Sequence, residues 1–374
     1  MTPPDANTGP QSGPQTGART GPQTRMRAEI EQQPDALRAT LDSLLPRVAE
    51  VAALAQDTRQ VLFIARGTSD NAAVYGSYLT QVRAGRLATL ASPSVATTYR
   101  ARLDLSGVLA VALSQSGRTE EIVQTMAWAA ECGARTLAIT NGADSPLAAG
   151  ADIAFVTEAG VEQAVPATKT FTTQLAALAV LGIGLTADAE GAARGQEPLD
   201  QKELRAVPDE IERLLAEPGD LTPLIEGLAA VEGAVVSGRG YAYSAALELA
   251  LKLKEACYLH AMGLSFADLL HGPIAVVDER TPAVIMAANS GPTVEGAVAL
   301  AHRVMASGAP AYGIGGGAAL ASECAYALPG PRLPEWLAPI GLIIAGQLLT
   351  EALARRLGLD PDRPRGLSKV TQTG

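Results

Sequence analysis

Two groups of side chains in this sequence are of the kinds that hold anions and move protons. The first is Ser114-Gln115-Ser116-Gly117-Arg118-Thr119, which follows six uninterrupted apolar residues, Val108 to Leu113, and precedes Ile122, Val123, Met126, Ala127 and Ala130 at helical spacing. An unbroken apolar run of that length reads as a parallel strand covered on both faces, so the hydroxyls fall in a strand-to-helix turn. Side-chain oxygens, backbone N–H groups and the positive end of a helix gather there, and phosphate is the obvious guest. Ser and Thr also cap helices that bind nothing, which is the plainer alternative. The second group is Glu248, Lys252 and Glu255 in ALELALKLKEACYLHA, four and seven residues apart and therefore on one helix face. His271 follows in a turn, Asp268 to Pro273, ahead of a strand expected over Ile274 to Val277. Glu and His both carry protons near neutral pH when suitably buried, whereas an exposed stripe of paired charges and an incidental turn histidine would do nothing.

The elements that must position these residues occur twice. Ser116-Gly117 and Ser290-Gly291 are 174 residues apart, Arg66-Gly67 and Arg239-Gly240 are 173 apart, and Gly133-Ala134 and Gly308-Ala309 are 175 apart. Three landmarks in the same order indicate a duplicated α/β unit. In the first unit, strands are expected over Val61 to Ile64, Leu87 to Ala91, Val108 to Leu113, Thr136 to Thr140 and Ile153 to Val156, with helices between them and one beginning near Asn71. The fold class is α/β, with two tandem doubly wound parallel-sheet domains of flavodoxin-like, three-layer α/β/α form. The expected divisions are a low-complexity tail over 1–25, a helical arm over 26–59 broken near Pro34 or Pro46, a first domain over 60–190, a linker helix over 191–220, a second domain over 221–350 and a C-terminal tail or lid over 351–374. Asp188 to Pro198 reads as linker, Gln201 to Ala216 as one bridging helix, and residues 1–25 as disordered, with Met26 a candidate start.

Composition narrows the function. The chain has 374 residues, 47% of them hydrophobic, and a net charge of −10. No Lys/Arg block stands out, which argues against nucleic acid or an anionic membrane as partner. The apolar stretches Phe171 to Leu185 and Trp336 to Leu349 fall short of the roughly twenty residues a membrane span needs, and read as buried helices. Cys132, Cys257 and Cys324, with His260, His271 and His302, show no metal-ligand spacing, so no metal or other cofactor is expected and reduced thiols point to a cytoplasmic setting.

Taken together, GTS at 67–69, LSQSGRTEE at 113–121, AVPATKTFTTQLAAL at 164–178, ALELALKLKEACYLHA at 246–261, LLHGPIAVVD at 269–278 and RPRGLSKVT at 363–371 resemble the sugar isomerase (SIS) family. The likeness is to the double-SIS isomerase half of glucosamine-6-phosphate synthase and to related amino-sugar-phosphate deaminases. That resemblance implies that Ser69, Ser114, Gln115, Ser116 and Thr119 hold a substrate phosphate, with Thr68 and Val165 lining the pocket. It implies Glu255 as the base between C1 and C2, His271 as the ring-opening residue reaching a neighbouring subunit, Glu248 and Lys252 on sugar hydroxyls, and Lys369 closing over the open chain. A phosphorylated amino sugar is then the expected ligand and a homodimer with shared active sites the expected assembly.

The chain departs from the family pattern at Ala167, where the synthase has serine, and at Arg118, where it has glutamate; the residues before His271 are also more apolar. The synthase begins with a glutaminase domain built on an N-terminal cysteine, and the first cysteine here is Cys132. The expected net reaction is therefore glucosamine 6-phosphate plus water giving fructose 6-phosphate and ammonia. The alternatives are a synthase-like isomerase without glutaminase, a fructosamine-6-phosphate deglycase, and a sugar-phosphate-binding regulator that performs no chemistry.

Overall fold

The computed structural model describes residues 23–187 and 199–369. Of the disorder expected over 1–25, residues 1–22 lie outside the described residues, as do the linker over 188–198 and the last five residues of the tail, whereas Thr24 and Arg25 are ordered because the Thr24 side chain caps the Arg25–Glu31 helix. Ten strands form two five-stranded sheets among the described residues. The first contains β1 (Gln60–Ile64), β2 (Leu87–Leu90), β3 (Val108–Leu113), β4 (Arg135–Thr140) and β5 (Ile153–Val156) in the order β2-β1-β3-β4-β5. The second contains β6 (Gly233–Gly238), β7 (His260–Ser265), β8 (Ala283–Ala287), β9 (Ala311–Gly315) and β10 (Tyr326–Leu328), and in the order β7-β6-β8-β9-β10 it repeats the first position by position. Every pairing between these strands is parallel, and all six residues of β3 are buried, as its unbroken apolar run requires.

Local expectations fail in four places. Ile274 to Val277 is not a strand: Gly272 takes φ +125 and Pro273 opens a short 3-10 helix, Pro273–Val276. The strand of that region is β7, which pairs with β6 once Tyr258, left-handed at φ 57, ends the Ala242–Cys257 helix. The helix expected from Asn71 begins at Thr68, so Thr68 and Ser69 sit in its first turn. Gln201 to Ala216 is two helices, Gln201–Arg205 and Val207–Ala216, because Pro208 opens the second. The apolar helix near the C-terminus runs over Ala338–Arg356, past the expected boundary at 350, since no helix breaker intervenes.

Two long helices make the centre. From Lys169 to Leu185 every residue of the Lys169–Thr186 helix is buried, and the Ala338–Arg356 helix is nearly so. No helix of the described residues is long and apolar enough to cross a membrane. One apolar cluster joins the arm, both sheets and both helices. The arm breaks at both prolines, into Arg25–Glu31, Gln33–Leu44 and Val48–Leu54 with a 3-10 turn over Leu45–Arg47. A polar knot pins it to the core: Gln33 Nε2 donates to Gln347 Oε1 at 2.9 Å, Thr172 donates to Gln33 Oε1 at 2.8 Å, and Gln347 Nε2 reaches the Thr168 carbonyl at 3.2 Å.

Because Gln33 and Gln347 are wholly buried, removing one strands the other. Gln347→Leu is expected to destabilise the protein by about 1–3 kcal/mol, and the Gln33→Leu/Gln347→Leu pair by less than the sum of its singles. Urea unfolding of the four proteins measures the coupling.

Candidate active site

The turn after β3 folds into a cup of hydroxyls. Ser114 Oγ accepts from the Gly117 N–H at 3.2 Å, Ser116 Oγ accepts from the Arg118 N–H at 3.2 Å, and Thr119 Oγ1 lies 3.4 Å from Ser114 Oγ. Thr119 stands at the start of the Glu120–Glu131 helix, yet its side chain makes no capping bond. This hydroxyl is therefore not a cap, and Thr119 lines the cleft. Gly117 has φ +62, and a Cβ there would lie 2.1 Å from Ser145 Oγ, so the turn closes only around glycine. Beside it, Thr68 and Ser69 are carried by the first turn after β1, and Ser69 Oγ accepts from Gln174 Nε2 at 3.0 Å.

The facing wall comes from the other half of the chain. Lys252 and Glu255 on the Ala242–Cys257 helix line the same cleft, of about 330 Å³, as Thr68, Ser69, Ser114, Gln115, Ser116 and Thr119. Val165, Ala167 and Lys369 complete it. Arg66 stands at its edge in a two-pronged pair with Glu121, Nε–Oε2 3.0 Å and Nη2–Oε1 3.1 Å.

Beneath the wall lies a charged triad rather than an exposed stripe. Lys252 Nζ bonds the Glu255 carboxylate and lies 3.4 Å from Glu248 Oε1; the side chains of Lys252 and Glu248 are 1% and 0% exposed, that of Glu255 22%. Glu248 was expected on sugar hydroxyls and does not reach the cleft. Its oxygens accept from Thr68 Oγ1 at 2.9 Å and Asn71 Nδ2 at 2.8 Å instead. Burial holds the Glu248 carboxyl above its ordinary value, with Lys252 opposing. At Lys252 burial works against the charge, but Glu248 and Glu255 outweigh it and hold the ammonium above its ordinary 10.5.

Lys369 arrives on the irregular tail and donates from Nζ to Glu162 Oε2 at 2.6 Å and to the Ala164 carbonyl at 2.7 Å. Glu162, missed in the sequence, is buried and also accepts from Thr170 Oγ1 at 2.6 Å and Thr168 N at 2.9 Å. Burial would raise its carboxyl, but Lys369 and these donors hold it below 4.5. The only hint was a glutamate in a polar loop two residues before AVPATKT. The tail is fixed further by Asp362, whose oxygens accept from the N–H groups of Arg25 and Met26 and whose carbonyl accepts from Val165. His271 is not brought to the cleft. It is exposed, with Nδ1 2.7 Å from the Ala267 carbonyl.

Paired five-stranded parallel sheets, with a hydroxyl-lined cleft at the carboxyl edge of the first, define a tandem doubly wound α/β protein with one candidate ligand cleft. The SIS domain family model matches residues 54–184 and 228–345, and the chain belongs to that family. Among its relatives, glutamine–fructose-6-phosphate aminotransferase [isomerizing] of Acidithiobacillus ferridurans is 36% identical over 363 residues, and that of Thermococcus kodakarensis is 33% identical over 344. Both alignments take in 92% of this chain, which spans 58% and 57% of the length of those relatives. Among solved structures, the C-terminal domain of glucosamine-fructose-6-phosphate aminotransferase from Francisella tularensis is 27% identical with a TM-score of 0.78, covering 93% of this chain and 100% of its own. Glucosamine-6-phosphate deaminase from Thermotoga maritima, at 22% identity and a TM-score of 0.72 over 94% of this chain and 100% of its own, shares the fold.

Removing the central cation leaves two carboxylates without it. Lys252→Met is expected to cost about 3–5 kcal/mol, read by urea unfolding, with part recovered by adding Glu248→Gln. Since the folded-state value of Lys252 is raised, its contribution is complete below pH 10.5 and is lost as alkali titrates the folded ammonium. The Glu162–Lys369 pair works in the other window: its contribution is present above pH 4.5 and lost as pH falls through the lowered folded value, so Lys369→Met should flatten the acid limb of stability against pH.

Proposed function

We propose that the cleft interconverts an amino-aldose phosphate and its ketose counterpart, with glucosamine 6-phosphate and water giving fructose 6-phosphate and ammonia. The observation that carries the reading is the opposition of Glu255 to the Ser114–Thr119 turn across a single cleft, although the two lie on different halves of the chain. The relatives named as aminotransferases with isomerising activity, and the deaminase that shares the fold, support the same class of chemistry.

In this reading the turn hydroxyls and N–H groups hold the phosphate, which leaves the open chain directed at the second-half helix. The Glu255 carboxylate takes the proton from C2 and returns it to C1 while the amine gives up one proton and O1 gains one, so that the aldehyde becomes an alcohol and the neighbouring amine a C2 imine. Water adds to that imine and ammonia leaves. Proton transfer between adjacent carbons needs one base able to reach both, and a carboxylate anchored by buried Lys252 is such a base. Lys369 covers the open chain, and release of the tail sets access. His271, outside its own cleft, serves ring opening in the cleft of a second copy, so the working form is a homodimer. Ala167, in place of the serine of the synthase pattern, leaves one polar contact fewer on the cleft wall and favours a substrate preference unlike the synthase's.

Incubation with glucosamine 6-phosphate, fructosamine 6-phosphate, and fructose 6-phosphate with ammonia separates deaminase, deglycase and synthetic readings by product. Glu255→Gln is expected to lower kcat by about 10²–10⁴-fold while leaving substrate affinity within a small factor. Absence of turnover on all three substrates, with phosphosugar binding intact, would replace catalysis by a regulatory role.

Shared sites make a second expectation. Mixed and re-formed from inactive parents, Glu255→Gln and His271→Ala chains should regain roughly a quarter of wild-type activity, since half the dimers are mixed and each holds one complete site. No recovery removes His271 from the partner's cleft.

A further inference from the structure

The second half repeats the elements that carry the walls of the cleft. Gly240-Tyr241 follows β6 as Gly67-Thr68 follows β1, and the turn over 289–293 follows β8 as Ser114 to Thr119 follows β3. Pro334 to Trp336 precede the Ala338–Arg356 helix much as Val165 and Ala167 precede the Lys169–Thr186 helix. The facing wall again comes from the other half, through Arg83 at the end of the Thr68–Arg83 helix. Arg83, Tyr241, Glu335 and Trp336 line one groove of about 970 Å³.

The turn over 289–293 does not line this groove; Glu335, which does, reaches the turn. Thr293, like Thr119, begins a helix, Val294–Ala306, without capping it, but the Thr293 hydroxyl donates to Glu335 Oε1 at 3.0 Å. The carboxylate lies over the turn itself, since a Cβ on Gly291 would stand 2.7 Å from its carbon. A helix of thirteen residues thus receives at its N-terminal end a negative charge from the chain itself. Nearby, Tyr241 is only 6% exposed, and its hydroxyl has no hydrogen-bond partner although it feels the charges of both Arg83 and Glu335. That leaves a buried polar group without a partner on the wall of a groove whose Glu335 is already bonded to the turn.

We propose that the second half is a phosphosugar site held shut from within: the Glu335 carboxylate takes the place of a ligand phosphate on the turn over 289–293, so each chain binds one phosphosugar rather than two. The proposal takes its ligand class, a phosphomonoester, from the reading of the first cleft. It also accounts for a duplicated chain in which one turn threonine lines a cleft and the other is bonded to a carboxylate of its own chain.

Equilibrium dialysis of the full chain against labelled glucitol 6-phosphate, which has no carbonyl and cannot turn over, counts the sites. Wild type is expected to bind one per chain, abolished by Thr119→Val. Glu335→Ala is expected to gain one further site, lost again in Glu335→Ala/Thr293→Val. No gain in Glu335→Ala, or a Thr293-dependent second site already present in wild type, overturns the proposal. If wild type binds none while Glu335→Ala gains a Thr293-dependent site, the reading of the first cleft falls and this one stands. Thermal melting checks each variant, with Glu335→Ser as an independent truncation. Loss of fold in both truncations alongside normal folding of Glu335→Gln would make Glu335 a packing element and also overturn the proposal.

Discussion

A carboxylate sealed between two halves of a chain must be answered from both sides, and Glu248 is such a group. Thr68 and Asn71 supply bonds from the first-half helix, Lys252 supplies charge from the second-half helix, and Ser244 Oγ adds a bond to the Asn71 carbonyl at 2.6 Å. Leaving any of these unmet in a dry interior is expensive, so the two helices have one register in which all are met. That register aims Glu255 across the cleft. The same contact carries Thr68 at the cup's rim, so the buried triad couples the position of Glu255 to that of the hydroxyl turn.

Around this axis the molecule is twofold in plan and asymmetric in chemistry. Both sheets have the same strand order, and Tyr75 and Tyr241 meet edge to face at 6.2 Å between the helices that cross there. The first turn is left with free-facing hydroxyls and is covered by a lysine on the tail; the second has a glutamate lying on its threonine. The tail itself ties into the arm through Asp362 and into the Val165 loop. The N-terminal and C-terminal segments thus close over the same side of the first domain, and the arm and tail belong to the site as much as to the scaffold.

Some of this was legible residue by residue. β3 announced itself because a doubly covered parallel strand has no polar face, and β5, a partly buried edge strand, matched its expected bounds through its short apolar run Ile153 to Val156. Ser145 followed by Pro146 was read as a cap with proline at the first helical position, and Ser145 Oγ does accept from the Ala148 N–H. β7 was not legible: HAMGLS has little β-branching and no alternation, and it is an edge strand defined mainly by its pairing with β6. The reading of Ile274 to Val277 as a strand failed because apolar residues alone do not reveal that Gly272 and Pro273 have already turned the chain.

Sequence sufficed for the duplicated parallel α/β plan and for the place of the hydroxyl turn between β3 and its helix, because strand burial, helical spacing and turn composition are local quantities. Spacing also placed Glu248, Lys252 and Glu255 on one face, but a face does not say what it is pressed against. Whether those charges meet solvent or one another depends on a helix more than 170 residues away, and so the folded chain alone decided that Glu248 is buried against Thr68 and Asn71, that Glu162 holds Lys369, that His271 stands outside its own cleft and that Glu335 sits on the second turn.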